Sequence, residues 1–204
     1  MAPNAGVTAG RPRDPGVDDK VARAAIDLFG AEGWAGFSIE SVARRAGVGK
    51  ASIYLRWPTK EALLLEALRR HVGGVADVEA GNVRDELVRL ARRLLDQYVG
   101  DAGQVMLRIS LEAERIPGVA EHWAAIRESR ILAARTIVRR AIARGELPRG
   151  TSVTLLLDTL CGAVINHVLA TPPDARQDLA TDPDAYARAL VDFLLTNTAA
   201  ATAE

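Results

Sequence analysis

The chain has 204 residues, 49% hydrophobic and 25% charged, which is enough apolar material for one large domain or two small ones. Lys plus Arg and Asp plus Glu number 26 each, so the overall charge gives no sign of a polyanionic partner. The single cysteine, Cys161, excludes an intrachain disulfide and a Cys-based zinc cluster and points to a reducing cytoplasm. In an apolar stripe, such a residue reads as a packed small hydrophobe before a redox sensor.

Residues 1–17 are expected to form a disordered arm, because they hold Pro and Gly and little that could pack. Arg11 and Arg13 within it suit a narrow minor groove, or else sit on a solvated tail. From Asp18 onward the pattern is helical throughout. A first helix runs from Asp18 to about Gly33, with Val21, Ala25, Leu28 and Phe29 as its apolar face. Ile39, Val42, Ala43 and Ala46 mark a second, short amphipathic helix. Gly47-Val48-Gly49 breaks it, and Lys50 to Leu55 forms a third helix with Ile53 turned inward. Pro58 ends that helix and Thr59 caps a fourth, which reaches Val72 before Gly73-Gly74 marks a boundary.

Further helices are predicted at about 82–99, 102–115, 118–144, 151–170 and 183–198. The fold class is all-α, with about nine helices: an N-terminal head at 18–72 and a helical body at 75–204. No apolar run reaches the roughly 20 residues of a membrane span. The nearest, Val153 to Ala170, is interrupted by Asp158, Asn166 and His167.

Two short helices joined by a Gly-containing turn, the second carrying Lys and hydroxyl groups, form a helix-turn-helix that can enter a DNA major groove. Charge distribution agrees. Residues 1–70 hold 11 basic and 8 acidic side chains, against 15 and 18 in residues 71–204. Arginine counts carry less weight, since only Lys20, Lys50 and Lys60 among the basic residues are lysines, a bias of genome composition.

Ser38, Val42, Ala43, Ala46, Gly47, Val48, Lys50, Tyr54, Trp57, Lys60 and Leu63 keep a fixed spacing that resembles the tetracycline-repressor family of transcriptional regulators. The resemblance covers about residues 18–70, and departs at Gly49 and Arg56, where Ser and His or Tyr are commoner. It implies DNA contact by Ser38, Gly49, Lys50, Ala51, Ser52, Tyr54, Arg56 and Lys60. Trp57 either joins them or braces the helix pair; Arg44 and Arg45 either reach phosphates or face solvent. The resemblance further implies a double-stranded DNA operator, a homodimer, and an effector pocket in the body. Met106, Trp123, Cys161, Asn166 and His167 lie on the helices that would line it, with Arg108, Asn166 or His167 as polar anchors.

Few charges fall on the inward stripes of those helices, so the effector should be apolar and neutral or anionic. The apolar stripes of the last two helices, including Leu160, Val164, Val168, Leu190, Phe193 and Leu194, are expected to meet a second copy. No cofactor or metal is expected, since His71, His122 and His167 lack ligand spacing. The Gly47–Ser52 stretch is not a nucleotide-binding loop, because Arg44 and Ala51 stand where that motif needs Gly and Ser or Thr. Glu112, Glu114 and His122 read as a solvated or ion-paired face rather than a catalytic group. The expected function is therefore a cytoplasmic, non-enzymatic repressor that releases a pseudo-palindromic operator on binding a small molecule. The rivals are a helical ligand carrier or enzyme with a vestigial head, and a nucleoid protein without an effector.

Overall fold

The computed structural model describes residues 15–72, 79–99, 103–172, 174–175, 179 and 182–200. Among the described residues, nine α-helices and one short 3-10 turn carry the chain, and no strand occurs. They are α1 (Pro15–Gly36), α2 (Ile39–Ala46), α3 (Lys50–Tyr54), α4 (Lys60–His71), α5 (Val83–Val99), α6 (Gly103–Glu112), α7 (Val119–Ala143), α8 (Val153–Ala170) and α9 (Pro183–Ala200). The predicted limits hold to within a few residues. The first helix begins earlier than predicted, so Pro15 to Val17 are helical rather than part of the arm. Arg11 and Arg13 lie outside the described residues.

Local chemistry sets these boundaries. Ser38 and Thr59 cap α2 and α4, each side chain accepting a backbone N–H three residues on. Gly47 ends α2 in the left-handed region (φ 62°, ψ 37°), returning its N–H to the carbonyls of Ala43 and Arg44. A second left-handed glycine, Gly33 at φ 67°, breaks α1 before its last turn.

The apolar residues form two clusters. The first joins α1 to α4 with α6 and the first half of α7: Phe29, Phe37, Ile53 and Leu64 pack with Met106, Ile109, Val119 and Trp123. The second joins α5, the rest of α7, α8 and α9, through Leu87, Leu95, Ile137, Leu160 and Val191. Tyr98 touches both. The core of the head therefore does not stop at Gly73-Gly74; it borrows a helix and a half from the body. At the far end, the fully buried Glu86 carboxylate lies 3.5 Å from Arg140 and 3.4 Å from Arg144. This joins the start of α5 to the end of α7 and supplies the partners that a buried charge requires.

Helix α8 is long and apolar enough to cross a membrane by length and composition, with a mean hydropathy of 1.7, yet only 28% of it is buried. Leu160, Val164, Val168 and, on α9, Leu194 are buried within the subunit, and Leu190 is half-buried. Four of the six side chains expected to meet a second copy therefore pack inside their own subunit. The apolar side chains left open are Leu155, Leu169 and Phe193, at 67%, 50% and 65% exposure. A stripe that is apolar on both faces gives periodicity no means of telling the inner from the outer.

Candidate nucleic-acid interface

The recognition surface begins with α3, which is short and held by a single inward residue, Ile53. Gly49, Lys50, Ala51, Tyr54 and Leu55 are exposed around it. Gly49 caps α3 at φ −62° and ψ 131°, a conformation open to any residue, and a Cβ there would touch nothing. Its glycine keeps the end of the helix flat, where a bulkier residue would hold the backbone away from a groove.

Lys50 and Tyr54 lie one turn apart on α3, and the Lys50 ammonium stands 5.5 Å from the Tyr54 ring centre. Both converge on Glu40 of α2: Lys50 forms an ion pair with it, and the Tyr54 hydroxyl donates to Oε1 at 3.4 Å. The hydrogen bond from Lys50 holds the Glu40 carboxyl below its ordinary range, and the same bond raises the Lys50 ammonium. These groups are exposed, so DNA phosphates can take over what Glu40 now holds. Sequence reasoning missed Glu40, because nothing in the spacing shows that an acid on α2 faces α3. It also missed Leu55, which is 86% exposed on the same surface and suits an apolar contact such as a thymine methyl.

Three expected contacts turn away from this surface. The Arg56 guanidinium reaches back to Asp18 of α1 at 2.7 Å, a close ion pair rather than an aligned hydrogen bond. Its Nη1 also donates to the Ser52 carbonyl at 3.0 Å and to the Ser52 hydroxyl. Arg56 thus fastens α3 to α1 and occupies Ser52. Trp57 is buried and braces the helix pair, the second of the two roles open to it. The Lys60 ammonium lies 3.8 Å from the Trp34 ring centre and donates to the carbonyls of Trp34 and Phe37 at 3.4 and 3.3 Å. It is anchored on the scaffold, at the edge of a shallow hollow also lined by Ser38, Tyr54 and Thr59. The N-termini of α2 and α4 meet there, where backbone amides and helix dipoles would favour a phosphate and the Glu40 carboxylate, which also lines the hollow, would oppose it. Arg44 is exposed, whereas Arg45 pairs with Asp27 at 3.8 Å.

The residues expected around an effector do not meet in one place. Arg108 leaves the body altogether: its Nε donates to the Gly30 carbonyl at 2.7 Å and its Nη2 to that of Ala31 at 2.9 Å, closing the C-terminal end of α1. Asn166 is exposed on the outer face of α8, and His167 stacks on Tyr186 of α9 at 3.8 Å. Met106 and Trp123 are buried in the first apolar cluster. Cys161 is half-buried on α8, and burial pushes its thiol up to about 11, with the Asp158 charge adding to the effect. A residue unnoticed in the sequence, Arg130 of α7, lies 5.8 Å from the Trp123 ring. When the Gln97 amide oxygen faces it, that oxygen accepts from Arg130 Nη2 at 2.6 Å. No group of His, Cys, Asp and Glu fit to hold a metal ion occurs among the described residues.

A capped, glycine-turned helix pair with its second helix open to solvent defines a DNA-binding protein of the helix-turn-helix class. The comparisons give the family. Residues 22–67 match the bacterial regulatory proteins of the tetR family, and residues 77–194 match the tetracyclin repressor-like C-terminal domain. The chain belongs to this family and is a DNA-binding transcriptional regulator. It is 26% identical to the uncharacterized HTH-type transcriptional regulator YdeS of Bacillus subtilis, over 89% of each chain. It is 33% identical to the HTH-type transcriptional regulator AqdR of Rhodococcus erythropolis, over 64% of this chain and 62% of AqdR. Among solved structures, MexZ, a repressor of Pseudomonas aeruginosa, superposes with a TM-score of 0.71 at 22% identity, covering 89% of this chain and 96% of MexZ. FadR of Bacillus subtilis in complex with stearoyl-CoA gives 0.61 at 17% identity, covering 86% and 96%.

Proposed function

We propose that this regulator is a cytoplasmic repressor that binds a pseudo-palindromic operator as a homodimer and releases it when a small apolar, neutral or anionic molecule binds. The observation that carries the reading is the open face of α3, where Lys50, Tyr54 and Leu55 are exposed, the first two meeting the exposed Glu40, while Arg56 and Trp57 fasten the helix to the scaffold. Lysine and tyrosine position the protein on phosphates, and Leu55 with the flat Gly49–Ala51 end lies against base edges. One helix of five residues reads few base pairs, so useful specificity calls for two heads one DNA turn apart. The exposed Leu155, Leu169 and Phe193 supply the surface on which a second copy would sit. An effector that binds better when the heads are mis-spaced lowers operator affinity by that same preference.

Selection from random duplex DNA tests the reading. The expected product is one inverted-repeat motif, with Lys50→Ala and Tyr54→Ala each costing about 1–3 kcal/mol of binding per half-site. Enrichment of no motif, or wild-type binding by both variants, would remove α3 from the interface.

A further inference from the structure

A cavity of about 660 Å³ opens between the head and the body, within the range of about 300–1,000 Å³ typical of small-molecule sites. None of the residues expected to bind an effector lines it. Its floor is apolar, formed by Ile26 of α1, Tyr98 of α5, Val105 of α6 and Val168 of α8. Its mouth is ionic: among the described lining residues Arg23 and Arg45 stand with one carboxylate, Asp27, which lies 3.8 Å from Arg45, and Arg23 reaches Asp19 at 3.9 Å. His71, the last residue of α4, also lines the cavity, and its Nε2 is buried without a hydrogen-bond partner. Asp19 is the nearest acid to it, at 4.0 Å. An orphaned buried nitrogen is a cost that a folded protein normally avoids.

We infer that this seam is a binding site for a small amphipathic anion, its tail on the Ile26–Val105–Val168 floor and its carboxylate at the Arg23–Arg45 mouth. A ligand carboxylate would share Arg23 and Arg45 with Asp19 and Asp27, and the apolar floor sets the character of the rest. His71 Nε2 is placed to meet the polar end of such a molecule. The location gives the occupant leverage. Beside the cavity α1 and α6 touch: a Cβ on Gly30 would lie 3.0 Å from Val105 Cγ2. A ligand there presses on the two helices that Arg108 clasps together through the Gly30 and Ala31 carbonyls. Binding stands on the cavity alone; its effect on DNA rests on the effector-released repressor proposed above.

Sodium octanoate, with octan-1-ol as its uncharged counterpart, tests the site on the full chain. Octanoate is expected to raise the melting temperature and to shift the methyl resonances of Ile26, Val105 and Val168 in NMR titrations. Arg23→Glu and Arg45→Glu, both at exposed side chains, should each weaken it by about three- to tenfold. Equal binding of octan-1-ol would overturn the anionic class. No binding of octanoate, or shifts confined to the Met106 methyl and Trp123 indole, would overturn the site. Octanoate binding at the seam with unchanged operator affinity would confirm the site and refute its link to release.

Discussion

The backbone N–H of Trp34 donates to the Glu112 carboxylate at 2.7 Å, joining residues 78 apart in sequence. Glu112 lies 3.6 Å from Arg108 one turn earlier on α6, and Arg108 holds the last carbonyls of α1. Between these contacts sits Gly33 at φ 67°, where a Cβ would come within 2.6 Å of Arg108 Nη1 and 2.8 Å of Glu112 Oε1. The Trp34 ring then stacks on Phe37 at 5.8 Å and lies beneath Lys60. One body helix thereby fixes the end of α1, the entry to α2 and the start of α4.

Gly33→Ala is expected to destabilise the fold by more than the about 1–2 kcal/mol of a left-handed alanine, since the clasp must also part. Glu112→Ala should cost about 1–3 kcal/mol by orphaning the Trp34 N–H, and Glu112→Gln less, because it keeps an acceptor. Denaturant melts of the three variants measure this. An Ala variant no worse than the Gln variant would mean that the hydrogen bond contributes nothing.

Glu40 competes with DNA for Lys50. Glu40→Gln should therefore bind a non-specific duplex more tightly, by about two- to fivefold at low salt. The gain should fade as salt rises. Anisotropy titrations decide it, and weaker binding by the variant would make Glu40 itself a DNA contact.

Arg56→Ala should behave as a stability variant. Losing the partly buried Asp18 pair and the Ser52 contacts should cost about 1–2 kcal/mol, or roughly 2–8 °C in Tm for a chain of this size. Operator affinity well below Tm should fall less than for Lys50→Ala. The reverse ranking would return Arg56 to the DNA face.

The sequence carried the helix pair in full, because short amphipathic helices, a glycine turn and side-chain caps are all local. It could not show where long side chains end. Arg56, Lys60 and Arg108 are flexible cations in exposed-looking positions, and each is claimed by a partner 23 to 78 residues distant. The outer face of α8 was hidden for the opposite reason: its exposed Leu155 and Leu169 are as apolar as the buried Leu160, and Asp158 and Asn166 mark that face only thinly.

That outer face yields a prediction of its own. Leu155→Arg or Phe193→Arg should give monomers in sedimentation at micromolar concentration with near wild-type helicity, since neither side chain packs inside the subunit. Leu160→Arg should instead unfold the chain, because Leu160 is fully buried. Dimers in both surface variants would move the contact elsewhere.

Cys161 should be nearly inert in the native protein. With its thiol raised to about 11, roughly one molecule in a thousand carries the thiolate at pH 8. Iodoacetamide labelling should accelerate sharply in urea. The sign for stability follows: the fold favours the protonated thiol, so this contribution is whole below about pH 9 and is lost as pH rises towards 11. Labelling as fast in buffer as in urea would contradict the burial.

Because Met106, Ile109 and Trp123 pack into the same cluster as Phe29 and Leu64, a DNA-reading unit cannot be cut from this chain at Gly73-Gly74 and kept whole. The isolated fragment would expose a greasy flank, and heating the intact chain should melt both portions in one step. Nor can the recognition helix swing like a pendulum on a tether. Repositioning it means sliding one layer of interlocked side chains over another, and such layers settle into a few discrete registers, so release would be a snap rather than a drift.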